Sequence, residues 1–228
     1  MAKKTSTKIT KIKEPPAKIT STKLLDVAES LFSEFGYAVT TVRDIAAKAK
    51  VNQALISYHF QSKHGLFMAV FERRATIILH EREKLLNEAK VRAGQNAIPL
   101  RELIYAFIYP PLRMAGEGRG GRNFVRLQAR LHHEPKDIEM ELRKRLYDHV
   151  SLSFVDELKR ALPNLSDKSI SWRLIFVMGL YLYVASNTGR IEVISKGNSK
   201  GTNLEEALPE ILDFCEQGFL APVTGRLL

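Results

Sequence analysis

The chain has 228 residues, 45% of them apolar, which is enough to bury a core and indicates one or two domains. Thirty-five Lys and Arg against 25 Asp and Glu leave a net charge of +10, which favours an acidic partner such as nucleic acid or an anionic membrane surface. The one cysteine, Cys215, excludes an intrachain disulfide and a zinc site built from several thiolates. We therefore expect a reducing, cytoplasmic location.

The positive charge is concentrated at the N-terminus. Residues 1–23 hold seven lysines against one glutamate, whereas the net charge is +1 over residues 24–75 and +3 over residues 76–228. Residues 1–20 contain few large apolar side chains, so we expect a disordered basic arm, which on a nucleic-acid partner would make auxiliary contacts to phosphates or to the minor groove. No apolar stretch has the length of a signal peptide core or of a bilayer span, so neither is expected.

Capping residues mark the starts of four helices after the arm: Ser21 or Thr22, Thr41, Asn52 and Ser62. The second helix opens with Thr41-Val42-Arg43-Asp44, a capping box in which the Thr and Asp side chains satisfy free backbone amides. The first helix ends at Gly36, and the fourth is long and runs toward Ala89. Two short helices with a tight turn between them predict a helix-turn-helix motif.

Residues 22 to about 75 closely resemble the DNA-binding domain of the TetR family of bacterial transcriptional regulators. The resemblance rests on four segments in the family's order and spacing: Phe35-Gly36-Tyr37, Thr40 to Ala46, Tyr58-His59-Phe60 and Ser62-Lys63. Lys50 stands where the family usually has Gly in the turn of the motif. A left-handed backbone at this lysine would cost on the order of 1 kcal/mol.

The third helix carries the side chains expected to read DNA in the major groove. The amide of Gln53 can pair with N6 and N7 of adenine, and Ala54 can pack against a thymine methyl group. The remaining predicted DNA-binding residues, most of them phosphate contacts that fix the position of the helix, are Thr41, Arg43, Asn52, Ser57, Tyr58, His59 and Lys63.

Residues 76–228 are expected to be helical as well. Prolines and glycines separate segments of helical period at about 99–115, 122–133, 136–161, 168–189 and 203–220. The predicted fold is therefore all-α: a helix-turn-helix domain over residues 21–75, joined by the long helix to a ligand-binding and dimerisation domain over residues 76–228. No Gly-rich phosphate loop, HExxH or GxSxG occurs, so no enzyme activity, cofactor or metal is expected.

The C-terminal half carries signals for a dimer and for a ligand. Trp172 to Ala185 is apolar nearly all round, so we expect burial on all sides, with one face against a second subunit. The last helix has a second apolar stripe, which predicts a homodimer through the last two helices. A small apolar or amphipathic effector is predicted to contact Phe107, Leu112, Phe124, Leu127, Arg130, Trp172, Phe176 and Tyr181. Arg126, Arg130 or His133 would meet an anionic head group, although plain core packing of the aromatic residues is an alternative.

These patterns predict a ligand-responsive, sequence-specific transcriptional regulator, a repressor, that binds a palindromic operator in double-stranded DNA as a dimer. Two alternatives remain open. A non-specific basic DNA-binding protein would explain the arm. An all-α enzyme would require a convergent set of titratable residues, which the sequence does not show.

Overall fold

The structure, a computed structural model, describes the backbone of residues 16–223 and the side chains of residues 21–223. This part of the chain holds no strand, and its helical content confirms the all-α prediction. The helices are α1 (Pro16–Val39), α2 (Val42–Ala49), α3 (Ala54–Phe60), α4 (Lys63–Ala93), α5 (Leu100–Gly116), α6 (Arg119–Arg130), α7 (Lys136–Leu142), α8 (Asp148–Ala161), α9 (Asp167–Ala185), α10 (Arg190–Ile194) and α11 (Leu204–Leu220). A 3₁₀ turn, Leu131–His133, follows α6, and a π-helical turn, Arg143–Tyr147, joins α7 to α8.

Helix α1 begins earlier than predicted, at Pro16 rather than after Ser21 or Thr22. Proline suits the first turn of a helix because its φ is fixed near the helical value and its missing N–H has no partner there. The prediction of a disordered arm is therefore wrong for residues 16–20, and its remainder, residues 1–15, lies outside the described residues. Gly36 interrupts the helix with φ of +80° where the end was predicted, and a short turn continues to Val39.

Helix α4 belongs to both halves of the molecule. Its 31 residues start in the helix-turn-helix region, where Phe67 meets the edge of Phe32 with ring centroids 4.9 Å apart. Farther along, Ile78 and Leu86 are buried where α4 packs against α5 and α8. One continuous apolar core connects α1 to α11. The predicted boundary near residue 75 therefore lies inside a helix that both halves share.

The C-terminal half follows the predicted helical segments, with one addition. The π-helical turn keeps residues 136–161 on one helical path, as the sequence predicted, although it divides α7 from α8. Helix α11 packs on α5 and α9, and Arg173 of α9 donates hydrogen bonds to the backbone oxygens of Phe219 and Ala221. The short α10 after Gly189 was not predicted.

Within one chain, the segment Trp172 to Ala185 is buried on one face only, and its other face, where a second subunit was predicted to pack, is open. Trp172, Phe176 and Tyr183 of α9 are each more than half exposed. The opposite face of α9, which includes Leu174 and Tyr181, is buried. The surrounding helices cover only that face, and this leaves a large apolar surface open. In the part of the chain that the structure describes, no helix is both long and apolar enough to cross a membrane.

Candidate nucleic-acid interface and effector cavity

Thr41 and Asp44 form the predicted capping box at the start of α2. The hydroxyl of Thr41 accepts a hydrogen bond from the backbone N–H of Asp44 at 3.1 Å, and a carboxylate oxygen of Asp44 accepts from the N–H of Thr41 at 3.1 Å. The same carboxylate oxygen accepts from the Thr41 hydroxyl at 2.5 Å, and this bond is the main reason that the pKa of Asp44 is lowered. Both donors of Thr41 are thus engaged by Asp44, so Thr41 starts the helix and has no donor left for the predicted phosphate contact.

Lys50 adopts the left-handed conformation that the turn of the motif requires, with φ of 53° and ψ of 50°. Its N–H donates to the backbone oxygen of Ala47 at 3.1 Å, and that of Val51 donates to Ala46 at 3.1 Å. These hydrogen bonds satisfy carbonyls at the end of α2. The turn therefore keeps the shape that glycine would give it, at a cost on the order of 1 kcal/mol for the lysine side chain.

Helix α3 presents one free face to solvent. The side-chain oxygen of Asn52 accepts from the N–H of Ala54 at 2.8 Å, which confirms Asn52 as a cap. Gln53, Ala54, Ser57 and Tyr58 are exposed, with Tyr58 exposed to 79%, whereas His59 is half-buried. Ile56 is 1% exposed and anchors the opposite face in the core. Gln53 and Ala54 thus stand at the N-terminal end of an open helical surface, where groove-reading side chains are expected.

Gly65 allows α4 to begin directly against the end of α3. A Cβ atom built on Gly65 would lie 2.1 Å from the backbone oxygen of Phe60, far inside contact distance. Ser62 caps α4 by accepting a hydrogen bond from the N–H of Gly65 at 3.0 Å. The close approach fixes the direction of α3 relative to α4.

Lys63 fastens the turn between α1 and α2 to the start of α4. Its Nζ atom donates to the backbone oxygens of Tyr37 at 2.8 Å and Thr40 at 3.0 Å and lies 4.2 Å from the centre of the Tyr37 ring. Free carbonyls near the end of a helix attract a cation in this way. Lys63 thus holds this turn in place, and its predicted phosphate contact stays a prediction, since one of its three N–H donors remains for such a contact. By contrast, Arg43 is exposed and forms no ion pair with any described residue, and the same holds for Lys48, which sequence reasoning did not single out.

A second set of contacts ties the predicted helix-turn-helix region, from α1 to the start of α4, to the C-terminal half; we call this N-terminal part the reading region. Glu134, just beyond the 3₁₀ turn, accepts hydrogen bonds from the N–H of Tyr37 at 3.0 and 3.2 Å. Arg130 at the end of α6 donates to the backbone oxygen of Glu34 at 2.9 Å. A Cβ atom on Gly36 would lie 2.7 Å from the Arg130 guanidinium. We call Arg130, Glu134 and the Gly36–Tyr37 turn the junction.

A cavity of about 650 Å³ lies among α4, α6, the π-helical turn, α8 and α9. This volume is within the range of small-molecule sites, about 300–1,000 Å³. Its apolar wall includes Leu152, Val155, Leu174, Ile175, Met178 and Leu182, and its buried polar end is formed by Arg82, Gln128, Tyr147 and Tyr181. The cavity therefore combines a wide apolar surface with a small polar region.

Of the eight predicted effector contacts, only Tyr181 lines this cavity. Four are core residues that are at most 1% exposed: Phe107, Leu112, Phe124 and Leu127. Their helices, α5 and α6, pack these side chains against neighbouring helices. Trp172 and Phe176 point to solvent from another face of α9, and Arg130 belongs to the junction. Arg126 and His133, the other residues predicted to meet a head group, are exposed and lie outside the cavity.

Apart from Tyr181, sequence reasoning missed the polar end of the cavity. Arg82 interrupts the buried apolar stripe of α4, four residues after Ile78 and four before Leu86. Gln128 likewise follows the buried Phe124 by four residues on α6. A polar residue at an apolar helical position was the available signal, because such a residue is buried only where it finds a partner or a site. Among the described residues, no group of three His, Cys, Asp or Glu side chains is placed to hold a metal ion.

Two family models match the chain. Residues 24–70 match the model for bacterial regulatory proteins of the tetR family, and residues 105–218 match the tetracyclin repressor-like C-terminal domain. The first match covers α2, α3 and most of α1. The second covers the helices that surround the cavity except α4. Both models describe regulatory proteins and neither describes an enzyme.

Curated relatives match only part of the chain. An HTH-type transcriptional repressor of Mycobacterium tuberculosis is 45% identical over 53 residues, which are 23% of this chain and 28% of the repressor. The A-factor receptor protein of Streptomyces griseus is 28% identical over 99 residues, 43% of this chain and 36% of the receptor. The matches thus span about a third or less of these relatives.

Solved structures resemble the chain over nearly its whole length. A TetR-family transcriptional regulator from Bordetella parapertussis superposes with a TM-score of 0.63 at 15% identity, covering 90% of this chain and 98% of the other. The fatty acid degradation regulator FadR of Bacillus halodurans gives 0.55 at 17% identity, covering 94% and 100%. At these identities the likeness concerns the fold. Together with the two family models, it shows that the chain belongs to the TetR family of bacterial regulatory proteins.

Proposed function

We propose that this protein is a cytoplasmic, ligand-responsive transcriptional repressor that binds a palindromic operator as a homodimer. The observation that carries the proposal is the open face of α3. It presents Gln53 and Ala54 at its N-terminal end, and Gly65 and Lys63 hold the surrounding helices in place. The HTH-type transcriptional repressor of Mycobacterium tuberculosis supports the proposal because it is 45% identical to this chain over 53 residues.

Base reading is assigned to the start of α3. The amide of Gln53 pairs with adenine, and Ala54 packs against a thymine methyl group in the major groove. Arg43 supplies a free guanidinium for a phosphate, since it forms no ion pair among the described residues. Asn52, Ser57, Tyr58 and His59 complete the phosphate contacts that fix the position of the helix.

Dimerisation is assigned to the exposed faces of α9 and α11. Trp172, Phe176 and Tyr183 follow one another along α9 at helical spacing and are 55%, 63% and 56% exposed. On α11, Phe214 is 71% exposed. Contact of such large apolar side chains with water is unfavourable, and an exposed apolar patch of this kind is typical of an interaction surface. Two copies of this pair of helices would bury the side chains in a four-helix interface.

The ligand response is assigned to the cavity and the junction, which share one segment of chain. Gln128, Leu131 and His132 line the cavity, whereas Arg130 and Glu134 in the same segment bind the turn before α2. A ligand that displaces this segment therefore also displaces the reading region. The ligand can drive this change only if its affinity differs between the DNA-bound and the DNA-free conformations. The coupling free energy between two such sites is typically 1–3 kcal/mol.

Selection of bound DNA from a random pool tests the proposal. We expect the full chain to enrich a palindrome whose half-site centres lie about 34–36 Å apart, because two α3 helices must enter successive major grooves. A Gln53→Ala variant should enrich the same palindrome with one base position per half-site relaxed. Recovery of unenriched DNA by the parent protein would refute the proposal.

A further inference from the structure

Arg82 is a buried cation without a counter-ion in the structure. Its side chain is 2% exposed, and no carboxylate of the described residues lies within 4.0 Å of it. Asp148, the carboxylate on the cavity wall, is an exposed residue. An isolated charge in a protein interior is strongly unfavourable unless a partner compensates it. The guanidinium therefore leaves one positive charge uncompensated at the polar end of the cavity.

The local contacts hold the guanidinium in place but do not neutralise it. Its Nε atom donates to the backbone oxygen of Phe107 at 2.7 Å, and one terminal nitrogen donates to the hydroxyl of Tyr181 at 3.2 Å. The group also lies 3.9 Å from the centre of the Phe107 ring. These neutral partners orient a cation and leave it able to bind an anion.

Two further polar atoms at this end of the cavity are incompletely hydrogen-bonded. The hydroxyl of Tyr147 and the side-chain oxygen of Gln128 are both buried and form no hydrogen bond of standard geometry with a described residue. The Gln128 side chain nevertheless neighbours the Tyr147 hydroxyl and acts on its pKa as a hydrogen-bonding group, against the larger effect of burial. Burial raises the pKa of Tyr147, so the hydroxyl stays protonated and is a hydrogen-bond donor. Tyr147 ends the π-helical turn, a distortion that is frequent at functional sites.

We propose that the cavity binds a small amphipathic monoanion, whose carboxylate pairs with Arg82 and accepts a hydrogen bond from Tyr147. One uncompensated positive charge matches one negative charge. The apolar body of the ligand lies along Leu174, Met178 and Leu182 and extends toward Leu152, which is 62% exposed at the outer end. The proposal replaces the predicted head-group partners, which are the exposed Arg126 and His133 and the junction residue Arg130, with a buried cation as the binding group.

The position of Arg82 would let such a ligand act on the reading region. Arg82 lies on α4, the helix that starts at Lys63 against α3, and Gln128 lies on α6 next to the junction. A carboxylate bound between them therefore contacts both elements that position the turn before α2. This regulatory role rests on the proposed function, whereas the binding itself does not.

Calorimetric titration of the full chain with decanoate and decan-1-ol tests the proposal, because the two probes share an apolar body and differ in the head group. We expect decanoate to bind about 10–100-fold more tightly, as hydrogen bonds to a buried charged group imply. Arg82→Gln should abolish this preference. Arg126→Gln, which removes an exposed guanidinium of α6, should leave it unchanged.

Tyr147→Phe provides a test that does not depend on Arg82, whose substitution removes a hydrogen bond to Phe107 and could prevent folding. This variant deletes a hydroxyl that forms no hydrogen bond of standard geometry in the structure. Its affinity for decanoate should fall about threefold to tenfold, while its melting temperature is unchanged or higher. Equal binding of the two probes by the parent, or unchanged decanoate affinity in Tyr147→Phe, would overturn the proposal. Because the selection of operator DNA uses no ligand, its failure would refute the proposed function separately.

Discussion

The DNA-reading region and the cavity use polar side chains in opposite ways. In the reading region, Gln53 and Arg43 are exposed, and the groups that hold the helices, such as Thr41 and Lys63, have their hydrogen-bond partners within the chain. In the cavity, Arg82 is buried without a counter-ion, and the hydroxyl of Tyr147 forms no hydrogen bond of standard geometry with a described residue. A buried polar group without a partner costs about 1–3 kcal/mol. The reading region is thus complete before DNA arrives, whereas the cavity is completed by its ligand.

Phe176→Glu should produce the largest effect, because it separates the two reading regions without touching either. A charge on the exposed face of α9 opposes burial of that face against a second copy, so we expect a monomer in analytical ultracentrifugation. Loss of the second reading region should reduce operator affinity about a hundredfold or more. The control Val91→Glu places the same charge at a side chain of α4 that is 83% exposed, and it should remain a dimer. A monomeric variant with full operator affinity would show that one reading region is sufficient.

Gly65→Ala tests whether close packing completes the reading region. The added methyl group would press on the backbone oxygen of Phe60, so α3 and α4 must move apart. We expect the free energy of unfolding in urea to fall by about 1–3 kcal/mol and operator affinity to fall with it. Asn87→Ala, at an exposed position of the same helix, should change neither quantity. Unchanged stability in Gly65→Ala would contradict the tight contact.

Gln53→Ala separates base reading from phosphate binding. Loss of the amide should cost about 1–3 kcal/mol in affinity for the selected operator and leave affinity for random DNA nearly unchanged. Competition binding at fixed salt measures both quantities. Gln95→Ala removes the same side chain from the exposed loop between α4 and α5, so it serves as the control. An equal loss of affinity for the operator and for random DNA would show that Gln53 contacts the DNA backbone instead of the bases.

The smallest effect concerns the pH dependence of the capping box. Hydrogen bonds from Thr41 lower the pKa of Asp44 below its usual value of 3.8, so the ionised group stabilises the folded state. That contribution is complete above the pKa of the unfolded chain and is lost as the pH falls through the lower folded-state pKa. Asp44→Asn should therefore be less stable than the parent at pH 7. Urea unfolding should show the difference shrinking below about pH 4, and a difference that is constant with pH would contradict this origin.

The fold and the reading region were predictable because their signals are local. The capping box at Thr41, the cap at Asn52 and the cap at Ser62 each involve residues within three positions of one another, and all three are confirmed. Pro16 was misjudged because a proline pair indicates an irregular chain as readily as a helix start. The internal hydrogen bonds of Lys63 were missed because its partners, the carbonyls of Tyr37 and Thr40, are more than 20 positions away.

The cavity could not be predicted in the same way. Its polar end combines Arg82, Gln128, Tyr147 and Tyr181, which come from four separate elements. Helical periodicity identified Phe107 and Phe124 as inward-facing, but it does not distinguish a side chain in the core from one on a cavity wall. The apolar residues all round α9 predicted a face for a second subunit, but they did not show which side chains lie on that face, because apolar residues cover both faces of the helix.

The most direct test of the account is the ratio of affinities for the selected palindrome and for random DNA of the same length, measured at one physiological salt concentration. A dimer that reads bases through Gln53 and Ala54 should prefer the palindrome by a factor of about 10³ or more. Equal affinities would instead identify a basic protein that binds DNA through its charge alone, and would contradict the assignment of α3 as a sequence-reading helix.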